Sequence, residues 1–143
     1  MIDKVTDDYI NDYYRLGYKL NTNFSYLFDL NEVLNKPYNE VYGYFLDNKL
    51  VGFIHILITM DEADIINIIV DDYYRKKGIG SKLIDYCLKK YDLKALNLEV
   101  KENNSAIDFY QKLGFKTVRK IPNYYHDQDA LFMKKVINNK EGD

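Results

Sequence analysis

Val70-Asp71-Asp72-Tyr73-Tyr74-Arg75-Lys76-Lys77-Gly78-Ile79-Gly80-Ser81-Lys82-Leu83 is the stretch that decides how this chain is read. It lies between a run of buried-strand character and an amphipathic helical pattern, so its two glycines fall where the backbone turns and exposes amides. A helix N-terminus presents unpaired N–H groups and about half a positive charge from its aligned peptide dipoles. Arg75, Lys76 and Lys77 add long-range attraction for an anion, and a pyrophosphate is the natural guest. No Gly-Lys-Ser/Thr ends the loop, and the three-glycine spacing of dinucleotide folds is missing, so nucleotide hydrolysis and dinucleotide binding lose support. Glycine at a strand-to-helix turn can also serve geometry alone, which leaves the surrounding elements to decide.

Upstream, 64–70 is nearly continuous apolar sequence, as a central strand covered on both faces requires. The aromatic and β-branched runs 41–46 and 50–59 flank Asp47-Asn48-Lys49, which is turn chemistry for a hairpin, and Asp61-Glu62 offers the next turn. An antiparallel meander of three strands is expected. Before it, Ile10, Tyr13, Tyr14, Gly17 and Tyr18 recur at helical spacing over 6–20, with Thr6 or Asp7 as cap. A second helical pattern through Tyr26, Leu27, Leu30 and Leu34 stops short of Pro37. Both helices are expected ahead of any strand.

Downstream, Ile79, Leu83, Ile84, Cys87, Leu88 and Tyr91 share one helix face, with Lys82, Asp85, Lys89 and Lys90 toward solvent. Over 95–100 Leu96, Leu98 and Val100 alternate with Asn97 and Glu99, which predicts a strand with one polar face. Helical spacing returns over 105–113 through Ala106, Ile107, Tyr110 and Leu113, and Gly114 suits a left-handed C-terminal cap. Strands near 115–119 and 130–136 complete one mixed α/β unit without repeats or linkers.

The length of 143 residues fits a single domain. With 20 basic and 22 acidic side chains, the charge gives no global reason to expect nucleic-acid or anionic-membrane binding. The single Cys87 excludes an intramolecular disulfide, no Cys/His spacing suggests zinc, and no run reaches membrane-spanning length. A cytoplasmic protein without metal is expected. The fifteen tyrosines lack a period and read mostly as core-edge residues. Cys87 shares a buried face and reads as inert packing. His55 in a strand and His126 in a polar loop read as structural or solvated. Asp61, Glu62 and Asp64 are charged turn residues, mainly solvated, that can also attract a cationic substrate.

Arg75-Lys76-Lys77-Gly78-Ile79-Gly80 resembles the acetyl-CoA loop of the GNAT superfamily, Arg/Gln-x-x-Gly-x-Gly/Ala. Asn67-Ile68-Ile69-Val70, Leu98-Glu99-Val100, Ala106-Ile107-Asp108-Phe109-Tyr110, Leu113-Gly114-Phe115 and Asn123-Tyr124-Tyr125 together resemble the ribosomal-protein alanine N-acetyltransferase branch, over 64–133. The resemblance implies a central mixed, mostly antiparallel sheet flanked by helices and splayed between its fourth and fifth strands, with acetyl-CoA in the gap. It implies that Ile68, Ile69 and Val70 offer backbone groups to pantetheine and thioester. It also implies that Arg75, Lys76, Lys77, Gly78, Ile79, Gly80 and Ser81 make up the cofactor loop, with amides from Lys76 to Ser81 on the pyrophosphate, and that Asn103 or Asn104 contacts the cofactor arm. Glu99 matches the general base and Tyr110 the acid that meets the departing thiolate. The asparagine stays open because Asn104 keeps the branch's distance from Glu99 while shortening the interval that follows. The helices over 1–40 are read as the acceptor side and 138–143 as a frayed tail. That acceptor side departs from the branch, whose Pro-Trp element has no counterpart in a chain without tryptophan.

The chemistry asks for a base independently of the resemblance, because an ammonium has no lone pair. A protein α-amine, with a reference pKa of about 7.7 to 8.0, is appreciably neutral near pH 7.5, whereas lysine near about 10.4 is not. The expected activity is direct transfer from acetyl-CoA to a primary amine, with a peptide or protein N-terminus ahead of a polyamine or antibiotic. A catalytically silent acyl-CoA-binding module is the alternative of a different class. The expected assembly is a monomer or homodimer.

Overall fold

The apolar and alternating runs form strands that join one sheet. A computed structural model describes residues 1–125 and 128–137. Its strands are β1 (Ile2–Lys4), β2 (Asn39–Leu46), β3 (Lys49–Thr59), β4 (Glu62–Val70), β5 (Ala95–Lys101), β6 (Lys116–Tyr125) and β7 (Gln128–Val136), in the spatial order β1-β2-β3-β4-β5-β7-β6. Neighbouring strands are antiparallel except β4 and β5. The helices are α1 (Ile10–Gly17), α2 (Phe24–Leu27), α3 (Leu30–Asn35), α4 (Ile79–Tyr91) and α5 (Ile107–Lys112).

Three expectations are corrected. A strand does precede the helices: β1 is only three residues long, too short for alternation to register, and is held by pairing with Tyr42 to Tyr44. The second helical pattern is two helices, because Phe28 leaves helical geometry at φ −133° and Asp29 starts a new one by accepting from Glu32 N–H at 3.1 Å. The turn after β3 is Met60-Asp61, and Glu62 already belongs to β4. His126 and the tail 138–143 lie outside the described residues.

The two faces of the sheet carry separate apolar layers. On one, α4 buries Ile79, Leu83, Ile84 and Cys87 against Ile54, Ile56, Leu96, Leu98 and Met133. On the other, α1 to α3 bury Tyr13, Leu16, Phe24, Leu30 and Val33 against Val41, Phe53 and Ile69. Burial of such side chains contributes roughly 1.5 to 3 kcal/mol each. At β4 and β5 the sheet gives way. Glu62, Ala63 and Asp64 pair with Ala95, Leu96 and Asn97, and no pair follows. Just beyond, β4 carries an extra residue: His55 faces Asn67 and Ile56 faces Ile65, so Ile66 has no partner. Such a bulge bends the strand and adds twist. Meanwhile β5 stays with β7 along its whole length, from Ala95 against Val136 to Lys101 against Ala130. The two central strands therefore part, between the fourth and fifth strands as the family resemblance implies.

Candidate active site

On one side of the split lies the turn from β4 into α4. Gly78 takes φ +76°, the left-handed region that glycine enters without a Cβ penalty, and no atom lies within 4 Å of where its Cβ would stand. The first helical bond is Lys82 N–H to Gly78 C=O at 3.0 Å, so the amides of Ile79, Gly80 and Ser81 sit in the first turn without an intrahelical acceptor. Lys76 and Lys77 are exposed and have no ion pair among the described residues. Open space, three converging amides and two cations fit a pyrophosphate. Gly80 is covered differently: a Cβ there would come within 3.0 Å of the Phe109 ring, which seats α5 on the start of α4.

Arg75 is engaged within the turn. Its Nε donates to Val70 C=O at 3.3 Å and its Nη2 pairs with Asp72 at 3.0 Å, so it straps the turn and uses one of the carbonyls expected to face the cofactor. The strap continues into α1. Arg15 Nη1 meets Asp71 Oδ2 at 2.8 Å and Lys19 meets Asp72 at 3.3 Å. Burial opposes the charge on Asp71, but the Tyr73 N–H and Arg15 outweigh it and hold the carboxyl below the ordinary aspartate range.

On the other lip, β5 presents Glu99 on the face shared with Asn97. Glu99 is exposed, and its Oε1 accepts from the Tyr124 hydroxyl of β6 at 3.0 Å. It lines a cavity of about 570 Å³ at the root of the split, with Leu27 and Phe28 of the α2 segment, Asp64, Asn97, Tyr124 and Phe132. Tyr110 is half-buried in α5, edge-to-face with Phe109 and Phe115 at ring distances of 5.5 and 5.8 Å. Burial pushes its hydroxyl up to about 12, so it keeps its proton at neutral pH, and the oxygen has no bond to a described residue.

The two asparagines separate. Asn104 accepts Ala106 N–H on Oδ1 at 2.7 Å, which turns the chain into α5, whereas the exposed Asn103 side chain has no bond to a described residue. Asp61 and Glu62 are paired with Lys94 and Lys134 at 3.5 and 3.2 Å, which takes them out of the site. His55 is structural: it is 3% exposed, its Nε2 meets Asn39 Oδ1 at 2.7 Å, and burial, then Lys36, lowers it to about 4. Cys87 is fully buried, with its thiol pushed up to about 12. Nothing in the sequence signals the Tyr124 bond, the partners of Asn97, or the lining by Leu27 and Phe28, since each depends on strands or loops far apart in the chain.

Residues 37–117 match the acetyltransferase (GNAT) domain. A protein of Bacillus subtilis (strain 168), provisionally named ribosomal protein bS18-alanine N-acetyltransferase, is 36% identical over 114 residues, 75% of each chain. An N-alpha-acetyltransferase of Sulfurisphaera tokodaii is 37% identical over 103 residues, 66% of this chain and 62% of that one. Among solved structures, a provisionally named streptothricin acetyltransferase of Bacillus anthracis str. Ames, in complex with acetyl coenzyme A, is 31% identical with a TM-score of 0.68, covering 76% of this chain and 68% of that one.

Proposed function

Because the chain belongs to the GNAT acetyltransferases and takes its acetyl group from acetyl-CoA, we propose that its acceptor is the α-amine of a peptide or protein N-terminus, with Glu99 as base and Tyr110 as acid. The observation that carries this reading is Glu99, on the lip of the split, held by Tyr124 and open to a cavity on the acceptor face. The names of the Bacillus and Sulfurisphaera relatives point to the same acceptor class.

In this reading the amides of Ile79, Gly80 and Ser81, with Lys76 and Lys77, hold the pyrophosphate. Asn103 contacts the pantetheine arm, and the backbone of Ile68 and Ile69 lines its path along β4. Asn104 serves the turn into α5, and Arg75 serves the loop's shape. The thioester supplies an activated acyl carbon. Glu99 takes a proton from the incoming ammonium, directly or through water, and so frees the lone pair that forms the C–N bond. Tyr110 gives its proton to the sulfur as the C–S bond breaks, and the second proton that the nitrogen loses on becoming an amide passes through water to restore the tyrosine. A positioned carboxylate suffices for an α-amine already near neutrality, whereas lysine needs roughly a further 2.5 pK units of help. Among the described residues, no helix is long and apolar enough to cross a membrane.

Thiol release from acetyl-CoA, measured with short peptides bearing free or blocked N-termini, tests the proposal. Release with the free peptides and none with the blocked ones is expected. Release with small amines alone would reject the peptide acceptor.

A further inference from the structure

The cavity beside Glu99 has largely apolar walls, with Leu27, Ile65 and Leu98 among them, into which two carboxylates, an amide and a tyrosine hydroxyl are set. Asp64 and Glu99 are its two carboxylates, and neither has an ion-pair partner among the described residues, whereas neighbouring Glu62 is neutralised by Lys134. Among the described residues, no lysine, arginine or histidine lines it. Asn97, in its wall, is 7% exposed. Its Nδ2 donates to Glu62 Oε1 and Asp64 Oδ1, both at 3.1 Å, which fixes the orientation of the amide. Its Oδ1 is left buried with no donor among the described residues. Phe28 and Tyr124 add aromatic rings, whose faces attract cations, while the Phe132 ring already carries the Arg119 guanidinium at 5.2 Å. A buried acceptor without a donor is costly. Carboxylates, an amide oxygen and aromatic rings are together matched by a ligand rich in N–H groups and positive charge.

A single reacting amine does not meet that demand. It must lose its proton to Glu99 before it attacks, so it cannot also neutralise Asp64. Asp64 and Asn97 are cross-strand partners, and Glu99 lies two residues beyond Asn97 on the same face, which places the carboxylates roughly 8 Å apart from strand spacing and rise. Resting on the reading that this site acetylates an amine, we propose that Asp64 and Asn97 form a second acceptor subsite that holds an ammonium or guanidinium while the amine at Glu99 reacts. Asp64 is then a specificity-determining residue. The acceptor is an amine with a second, permanently charged group at that separation: a basic side chain near a peptide N-terminus, or the far amine of a diamine.

The experiment compares kcat/KM on the full chain for two matched sets, an N-terminal peptide with lysine, alanine or glutamate as its second residue, and a diamine against the monoamine of equal length. A second cation is expected to raise kcat/KM by about tenfold or more, mostly through KM, with glutamate worst. The set in which the advantage appears identifies its source. Asp64→Asn is expected to reduce the advantage to near unity, while Asp85→Asn, on the exposed face of α4, preserves it. Equal turnover of charged and neutral acceptors by the unaltered chain overturns the subsite while leaving amine acetylation intact. An advantage that survives Asp64→Asn overturns the assignment to Asp64. Failure of every acceptor in both sets sinks the amine-acetyltransferase reading and this inference with it. Should Asp64→Asn fold poorly, the acceptor series on the unaltered chain still decides whether a second charge is recognised.

Discussion

The Tyr124 hydroxyl donates to Glu99 Oε1 at 3.0 Å, so β6 steadies the carboxylate that β5 presents to the cavity. Glu99→Gln keeps the size of the side chain and removes the carboxylate proposed as base, and kcat is expected to fall by about 10² to 10⁴ with the KM for acetyl-CoA little changed. Tyr124→Phe removes one hydrogen bond worth about 1 kcal/mol, and a fall of about fivefold is expected. Steady-state kinetics on both variants check this. An equal loss of turnover and of donor affinity in Glu99→Gln would assign that residue to binding.

Tyr110 holds its proton up to about pH 12 because it is buried. The wild-type rate should therefore show no loss below pH 10 that is traceable to this group. Tyr110→Phe keeps the contacts with Phe109 and Phe115 but cannot donate, so kcat should drop by about a hundredfold with Tm held. A large drop in Tm with normal kcat would mark a packing residue.

Asn103→Ala should raise the KM for acetyl-CoA several-fold and leave Tm alone, because its side chain has no described partner. Asn104→Ala should do the reverse, costing about 1 kcal/mol through loss of the bond to Ala106 N–H. Thermal melts beside donor titrations separate them. The opposite pattern would hand the cofactor contact to Asn104.

His55, buried and lowered to about 4, shapes the acid side of stability. In the unfolded chain the ring takes a proton as pH falls below about 6.5, while in the folded chain it stays neutral to about 4. Its contribution is thus complete above pH 6.5 and is lost as pH falls through this window, by about 3 kcal/mol in total. Denaturant melts from pH 7 to 4 should show that slope, and His55→Gln should flatten it. An unchanged slope would mean that other groups set the acid limb.

The local structure around the β4–α4 turn was legible in the sequence. The Gly78-Ile79-Gly80 turn, the face of α4 and the Gly114 cap at φ +99° are local features, readable from spacing and turn chemistry. Glu99 and Asn97 could be placed on the polar face of a strand by alternation. What faces them could not, because Tyr124 arrives from β6 and Asp64 from β4, and register between distant strands leaves no mark on either alone. β1 was missed for want of length, and the break at Phe28 because it leaves the apolar spacing intact. The charges at Asp61, Glu62 and Asp64 look alike in sequence. Only their partners Lys94, Lys134 and Asn97 tell the two solvated pairs from the carboxylate in the cavity.

The most direct test of the acceptor assignment is to map the acetyl group by mass spectrometry. A peptide with a free N-terminus and an internal lysine is treated with acetyl-CoA and the protein. Acetyl on the α-amine alone, absent with Glu99→Gln, is predicted. Acetyl on the lysine side chain, or none on the peptide while small amines are acetylated, would contradict the account.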